Sequence, residues 1–274
     1  MGAGWRLIDL PRNPDAHARY NPAMAASYAR LHQRYRLQAK WTASIRRRLL
    51  AQLDLLSSSR LLEVGSGTGV ITGELSGRFR SKVFGVDIDR AVAAFAAAQG
   101  GPARYAVADG AALPFPTGVF DGSLCHFLLL WVDDPKPLLL EMIRVTRSGG
   151  RIMALAEPDY RGRIDHPVEL ERLGAIQARA LSELGANLSM GRELRAVFGA
   201  SGLVDIQAGV LGGEWSEAED QEEEESEWEM LQHDVCGVVE PDQLASLEEL
   251  VRGARRANAR VLFVPTFYAA GRVA

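Results

Sequence analysis

Short apolar segments alternate with segments of helical periodicity through the middle of the chain. Five segments have the length and residue types of buried strands, at residues 60–65, 82–88, 103–109, 120–127 and 149–157. The segments between them place apolar residues at the three- and four-residue spacings of amphipathic helices. Strand and helix repeated in this order predict a doubly wound α/β fold, in which helices cover both faces of a mostly parallel sheet.

Two regions fall outside this alternation. Residues 22–56 predict one or two helices, and residues 165–186 predict an inserted helix after the fifth strand. The remaining segments are a strand at 203–213, an acidic stretch at 214–230, a helix at about 241–258 and a last strand at 260–273. Pro265 lies within that last strand, and a proline there suits an edge position or a bulge because it cannot donate to the ladder.

The first strand runs directly into glycines at alternate positions, in the stretch LLEVGSGTGVIT. Glycine weakens regular elements, so Gly65, Gly67 and Gly69 need a local reason. A strand, a glycine-rich turn and a helix in succession are typical of a site where a nucleotide-like ligand approaches the backbone and the helix N-terminus. A dinucleotide loop would need a small residue at position 70, which is Val70.

The spacing Glu63-x-Gly-x-Gly-x-Gly69 resembles that of class I S-adenosylmethionine-dependent methyltransferases, specifically the small-molecule, type 11-like enzymes. The stretches GVDID, ADGAALPF and FDGSLCHFLLLWVDDP resemble the next motifs of that family, in the same order. The resemblance is closest over residues 55–160. It implies a Rossmann-like sheet of seven strands, the last of them antiparallel, with S-adenosylmethionine as the cofactor.

The resemblance also implies roles for individual residues. Asp87 would accept hydrogen bonds from the ribose hydroxyls, Ile88 would pack on the adenine, and Asp109 would take the exocyclic amine. The end of the fourth strand would lie under the methionine part. The expected cofactor-binding residues are Glu63, Gly65, Ser66, Gly67, Gly69, Asp87, Ile88, Asp109, Gly110 and Cys125.

Candidates for the chemistry follow the fourth and fifth strands. We expect His126, Glu157 and Tyr160 to contact the methyl acceptor or to accept its proton, with Asp159 and His166 nearby. Two structural alternatives stand beside this reading. A histidine at a strand end is often a satisfied core residue, and Glu157–Tyr160 can form a turn around Pro158. The sulfonium is already activated, so direct displacement requires no metal.

The helical additions predict an enclosed site. We expect an N-terminal helical lid at 1–56 and a cofactor-binding methyltransferase domain at 57–274, with cap insertions at about 160–188 and 214–258. Tyr28, Leu31, Tyr35 and Trp41 fall near one helical face, either as lid contacts or as ordinary core packing. The acidic stretch predicts a solvated segment, with shielding of the Arg46–Arg48 cluster as an alternative.

Composition and charge argue against several classes of function. The net charge of −4 and the sequence CHFL after the fourth strand argue against a nucleic-acid or protein target. The apolar run at 127–132 is too short to span a bilayer, and the start of the chain lacks a signal-peptide core, so we expect a cytoplasmic protein. Two cysteines form no metal pattern. The oligomeric state is not readable from the sequence.

The sequence therefore predicts an enzyme that transfers a methyl group to an N, O or C atom of a small metabolite. Three alternatives remain open at this point. They are an RNA or protein methyltransferase, a protein that binds the cofactor without catalysis, and a nicotinamide-dependent oxidoreductase, with which Val70 conflicts.

Overall fold

A computed structural model describes residues 22–51, 59–78, 82–212, 221–235 and 238–274. Seven strands form one sheet in the order β3-β2-β1-β4-β5-β9-β7, in which β9 runs antiparallel to both of its neighbours. The strands are β1 (Arg60–Val64), β2 (Lys82–Asp87), β3 (Arg104–Val107), β4 (Phe120–Cys125), β5 (Thr146–Pro158), β6 (Ile164–His166), β7 (Val204–Leu211), β8 (Val261–Phe263) and β9 (Thr266–Arg272). The predicted doubly wound sheet of seven strands is confirmed.

Helices cover both faces of this sheet. They are α1 (Pro22–Trp41), α2 (Ala43–Leu50), α3 (Val70–Arg78), α4 (Arg90–Ala98), α5 (Pro135–Val145), α6 (Glu171–Glu183), α7 (Met190–Ala200), α8 (Gln221–Asp234) and α9 (Pro241–Arg256). Three short 3-10 turns lie at Leu129–Trp131, Tyr160–Gly162 and Val168–Leu170. No helix in the described part of the chain is long and apolar enough to cross a membrane.

The second half of β5 contains the apolar run Ile152–Ala156 because it is buried on both faces of the sheet. Ile152 and Ala154 face the core formed with α5 and α7, whereas Met153 and Leu155 face the core formed with α2 and α3. All four side chains are at most 1% exposed. An interior strand that is buried on both faces has a continuous apolar run, without the polar alternation of a half-exposed strand.

The predicted last strand is two strands. β8 pairs with β6 in a separate two-stranded sheet, and β9 lies between β5 and β7 inside the main sheet. Pro265 stands in the connection between them, where its carbonyl accepts the N–H of Asp159 at 2.8 Å. The prediction of an edge or bulge position was therefore wrong: the proline ends one strand before an interior strand begins, because an interior ladder needs every N–H.

The inserted segments form a small core of their own. The predicted helix at 165–186 divides into β6, a 3-10 turn and α6; α6 packs against α8, and the 3-10 turn packs against α9. Their shared apolar residues are Leu170, Leu173, Leu231, Val235, Leu247, Val251 and Ala254. The first part of the acidic stretch and residues 1–21 lie outside the described residues.

Candidate functional site at the carboxyl edge of the sheet

The glycine loop between β1 and α3 has the backbone that its sequence predicts. Gly65, Gly67 and Gly69 have φ of +71°, +51° and +83°, a region that side chains other than glycine rarely adopt. The protein's own side chains also lie close. A Cβ on Gly65 would stand 2.7 Å from Leu128, and one on Gly67 would stand 3.2 Å from the Tyr35 ring. The loop is therefore fixed by backbone conformation and by close packing together.

Glu63 holds this loop from beneath. Its side chain is buried and accepts a hydrogen bond from the Thr72 hydroxyl in the first turn of α3. Burial raises the pKa of the Glu63 carboxyl to about 8, although the Thr72 hydrogen bonds and Arg46 act in the opposite direction. Glu63 therefore ties the strand to the helix, and direct contact with a ligand does not fit its enclosure.

Ser66 and Asp87 present polar groups at the loop. The Ser66 hydroxyl is buried and makes no hydrogen bond with any residue that the structure describes. Asp87 Oδ2 accepts the Gly67 N–H at 2.7 Å, and Oδ1 accepts the Asp89 N–H at 3.0 Å. Each carboxylate oxygen has a further lone pair for a hydroxyl donor. Ile88 beside it is 72% exposed, which provides an apolar surface at the same strand end.

The turn after β3 supplies a second carboxylate at this edge of the sheet. Asp109 is exposed, and its Oδ1 accepts the Ala111 N–H at 2.9 Å. Gly110 has a packing reason of its own, because an added Cβ would stand 2.8 Å from Leu138 and 2.9 Å from Val64. The structure thus places the carboxylates of Asp87 and Asp109 after neighbouring parallel strands, at the same edge as the glycine loop.

Helix α1 lies across the glycine loop. His32 Nδ1 is 3.2 Å from the Thr68 carbonyl and 3.1 Å from its hydroxyl, and the ring of Phe95 on α4 lies near both Tyr28 and His32. The Tyr35 ring lies beside Gly67 of the loop, and burial, with a smaller effect of Asp87, raises the pKa of its phenol. Trp41 does not share this contact face, since it is 45% exposed.

Cys125 and His126 end β4 with different surroundings. The Cys125 thiol is fully buried in the main core, and burial raises its pKa well above the usual value. The prediction that Cys125 binds the cofactor is therefore wrong for its side chain. His126 is half-buried, and its Nε2 lies 2.9 Å from the Thr42 hydroxyl of the α1–α2 junction. Burial, with a smaller effect of Arg46, lowers the pKa of His126 to about 3.

Glu157 has a structural role. It is 0% exposed, and its carboxylate accepts the N–H groups of Leu128, Leu129 and Leu130 at 3.0, 2.9 and 3.2 Å. Burial raises its pKa to about 7, while these three hydrogen bonds lower it. The prediction that Glu157 reaches the acceptor was wrong, because the turn after β4 encloses this side chain completely.

Tyr160 lines a cavity of about 400 Å³ beside the end of β5. The other lining residues are Arg163, Ile164, Asp165, Glu171, Gly174, Ala175 and Ala178. Burial raises the pKa of Tyr160, so its phenol is a hydrogen-bond donor at neutral pH. Asp159 pairs with Arg192 and caps the Tyr160–Gly162 turn, and His166 is exposed in β6. Of the candidates after β5, Tyr160 alone lies at this cavity.

Two residues beside the candidate site were not predicted from the sequence. Thr42 and Arg46 lie under His126, and Arg46 is only 2% exposed although it belongs to a run of three arginines. The helical spacing of the apolar residues around Arg46 could have indicated its burial. The buried face of α2 consists of Ile45, Arg46, Leu49 and Leu50. Arg47 and Arg48 are exposed, so the run is not one surface cluster.

The arrangement can hold a ligand with several chemical parts. It offers loop N–H groups and a free hydroxyl at one strand end, a carboxylate with an apolar surface at the next, and a second carboxylate at the third. The unpaired Ser66 hydroxyl and the spare lone pairs of Asp87 fit a polar ligand. Within the described ranges, no group of three or more His, Cys, Asp or Glu side chains could hold a metal ion.

Comparison with known proteins agrees with this geometry. Residues 62–154 match the model of a methyltransferase domain. The chain is 38% identical over 108 residues to a demethylmenaquinone methyltransferase of Mycolicibacterium vanbaalenii, which covers 39% of this chain and 46% of that protein. It is 35% identical over 107 residues to the corresponding protein of Corynebacterium glutamicum, with similar coverage. The match spans about half the length of these curated relatives.

The solved structures extend the likeness beyond that segment, for the fold alone. A geranyl diphosphate C-methyltransferase from Streptomyces coelicolor aligns over 85% of this chain and 79% of its own, with a TM-score of 0.54 and 18% identity. The matched residues run from β1 into β5 and contain the glycine loop, Asp87 and Asp109. Residues 62–154 therefore resemble a methyltransferase domain, and the seven-stranded sheet around them has the fold of this solved methyltransferase.

Proposed function

We propose that the protein transfers a methyl group from S-adenosylmethionine to an N, O or C atom of a small molecule. The observation that carries this proposal is the sequence of groups at three neighbouring strand ends: the glycine loop after β1, Asp87 with Ile88 after β2, and Asp109 after β3. Open α/β sheets bind their ligands at this edge.

Each part of the cofactor has a partner in this set. The loop N–H groups and the Ser66 hydroxyl would hold the amino-acid tail, and Asp87 would accept the ribose hydroxyls through its spare lone pairs. Ile88 would cover one face of the adenine, and Asp109 would take its exocyclic amine. Helix α1, through His32 and Tyr35, would close over the loop as a lid. When bound, S-adenosylmethionine supplies a methyl group already activated by the sulfonium.

A small acceptor is favoured by the space beside β5. The cavity at Tyr160 has a volume of about 400 Å³, which suits a small ligand. The two relatives compared above are named for methylation of demethylmenaquinone, a small molecule. The cap formed by α6, α8 and α9 would enclose the acceptor together with the lid, since α8 packs against α1.

The protein's task in this reaction is positioning. In-line displacement needs the nucleophile about 3 Å from the methyl carbon and opposite the departing sulfur. His126 is a poor proton acceptor because its pKa is about 3, and Glu157 is enclosed by three backbone N–H groups. The acceptor would therefore react through a nucleophile that needs no strong protein base, with Tyr160 as a hydrogen-bond donor.

Incubation with methyl-labelled S-adenosylmethionine and a cell extract tests this proposal, with products separated by size. Label in the small-molecule fraction, absent with an Asp87→Ala protein, is the expected result. Label in RNA or protein would overturn the acceptor class and favour the macromolecular alternative. Binding of S-adenosylhomocysteine without transfer to any fraction would favour a protein that binds the cofactor without catalysis.

A further inference from the structure

A line of polar side chains runs from the protein surface to the end of β4. Glu74 on α3 is 31% exposed and forms an ion pair with Arg46 on α2. Arg46 Nη1 donates to the Thr42 hydroxyl and to the Ala39 carbonyl. Thr42 Oγ1 then meets His126 Nε2 at 2.9 Å. The line therefore joins the lid helices to the residue that follows β4.

The hydrogen-bonding capacity of these groups fixes the direction of the last bond. A guanidinium can only donate, so Arg46 occupies one lone pair of Thr42 Oγ1. The Ala39 carbonyl already accepts Arg46 at 2.6 Å and lies 3.4 Å from Oγ1, beyond a normal O–H···O distance. The Thr42 proton is therefore best placed on His126 Nε2. A neutral imidazole whose Nε2 accepts carries its own proton on Nδ1.

His126 Nδ1 is the atom that remains for a ligand. It makes no hydrogen bond with a described residue, and it is not among the enclosed polar atoms that lack a partner. His126 stands at the carboxyl edge, two residues before Leu128, whose side chain lies over Gly65 of the glycine loop. An N–H at this position would stand at the strand end where the proposed function places the reacting groups.

We propose that Thr42 and Arg46 are positioning residues that hold His126 as its Nδ1–H tautomer, so that His126 donates a hydrogen bond to the methyl acceptor. The part concerning the acceptor rests on the proposed function; the tautomer does not. A donor at this point would fix an oxygen or nitrogen of the acceptor and leave its reacting lone pair directed at the methyl group.

This arrangement also couples the lid to the chemistry. Thr42 is the residue at which α1 ends and α2 begins. The same helix α1 contacts Thr68 in the glycine loop through His32. Docking of α1 over the cofactor loop and orientation of His126 therefore depend on the same helix and its end at Thr42, and His126 would become an oriented donor only with the lid in place.

Nuclear magnetic resonance of protein labelled with ¹⁵N-histidine tests the tautomer directly. Long-range ¹H–¹⁵N correlations distinguish Nδ1–H from Nε2–H, and a His126→Asn protein identifies the signal among the five histidines. We expect the Nδ1–H pattern in the wild type and in Thr42→Ser. We expect a mixture or the Nε2–H pattern in Thr42→Val, which is nearly isosteric but lacks the hydroxyl. An Nε2–H wild type, or an Nδ1–H pattern kept by Thr42→Val, would overturn the proposal.

Turnover tests the role of the donor with the same proteins. Thr42→Val should lower kcat roughly tenfold, as expected for one hydrogen bond, while the affinity for S-adenosylhomocysteine stays within about twofold. Thr42→Ser should restore kcat. An unchanged kcat in Thr42→Val would show that the tautomer has no part in catalysis. Absence of turnover in the wild type would instead count against the proposed function and leave the tautomer result standing.

Discussion

Glu157 accepts the backbone N–H of Leu128 at 3.0 Å, and this bond joins the end of β5 to the turn that follows β4. The adjacent N–H groups of Leu129 and Leu130 complete the set. The Leu128 side chain lies over Gly65, so the Glu157 carboxylate fixes the position of the glycine loop indirectly, through Leu128. The sequence suggests Glu157 as a catalytic residue, but in the structure it stabilises the turn beside which the reaction would occur.

Glu157→Gln should destabilise the protein by about 2 kcal/mol. An amide can present one acceptor oxygen, and its NH₂ group would then face a backbone N–H that needs an acceptor. The free energy of unfolding from urea titration measures the effect. Glu183→Gln is the control, because its ion pair with Arg179 is exposed and should contribute less than about 0.5 kcal/mol. Equal effects of the two substitutions would refute the role assigned to Glu157.

Gly69→Ala and Gly100→Ala separate backbone strain from close packing. Both residues have positive φ, +83° and +78°, so alanine should cost about 1 kcal/mol at either position. At Gly69 the new Cβ would also stand 2.5 Å from the Tyr105 hydroxyl, whereas Gly100 has open space. We therefore expect a loss of stability larger by about 1–3 kcal/mol for Gly69→Ala. If urea unfolding gives similar losses of stability for the two variants, the glycine loop accommodates the added Cβ beside Tyr105 without a further cost in free energy.

Asp87→Ala should weaken the binding of S-adenosylhomocysteine at least tenfold, measured by calorimetry. The substitution removes the acceptor for Gly67 N–H and the proposed acceptor for the ribose hydroxyls. Asp89→Ser is the matched control two residues away, because serine keeps the N-cap of α4 that the Asp89 carboxylate now provides. Retained affinity in Asp87→Ala would remove Asp87 from the cofactor site.

The succession of strands and helices along the chain and the glycine loop could be predicted because each depends on local pattern. The apolar run of β1, the loop Gly65–Gly69 and the acid that ends β2 signal their structures within a few residues. The position of β9 could not be predicted from periodicity, since the place of a strand in a sheet depends on contacts between distant segments. Pro265 was assigned to a strand for the same reason, although it stands between two.

The roles of the polar candidate residues could not be predicted from the sequence for a different reason. Glu157 and Tyr160 lie three residues apart in one stretch, yet one is fully enclosed and the other lines a cavity. The role of Glu157 depends on a turn contributed by residues 128–130, about 30 positions earlier in the chain. Arg46 likewise looks like its exposed neighbours Arg47 and Arg48, and only its place on the buried face of α2 distinguishes it.

His126 should make the protein less stable in acid. Its folded pKa of about 3 lies below the ordinary value of 6.5, so the unfolded chain binds a proton between pH 6.5 and pH 3 that the folded protein does not. The stabilisation that His126 contributes is fully present above pH 6.5. Below pH 6.5 this contribution to the free energy of unfolding falls by about 1.4 kcal/mol for each pH unit. Between pH 7.5 and pH 5 the loss should be about 2 kcal/mol.

Comparison with variants isolates this contribution, because Glu63 and Glu157 titrate in the opposite sense. Their raised pKa values make the folded protein lose stability as the pH rises from about 4.5 towards 7 or 8. His126→Asn and His126→Gln keep both carboxyls and lack the imidazole. Urea unfolding should therefore show each variant gaining about 2 kcal/mol relative to the wild type on going from pH 7.5 to pH 5. If both differences stay constant with pH, His126 is protonated in the folded protein as easily as in the unfolded chain, and its enclosure by Thr42 and Arg46 does not persist in solution.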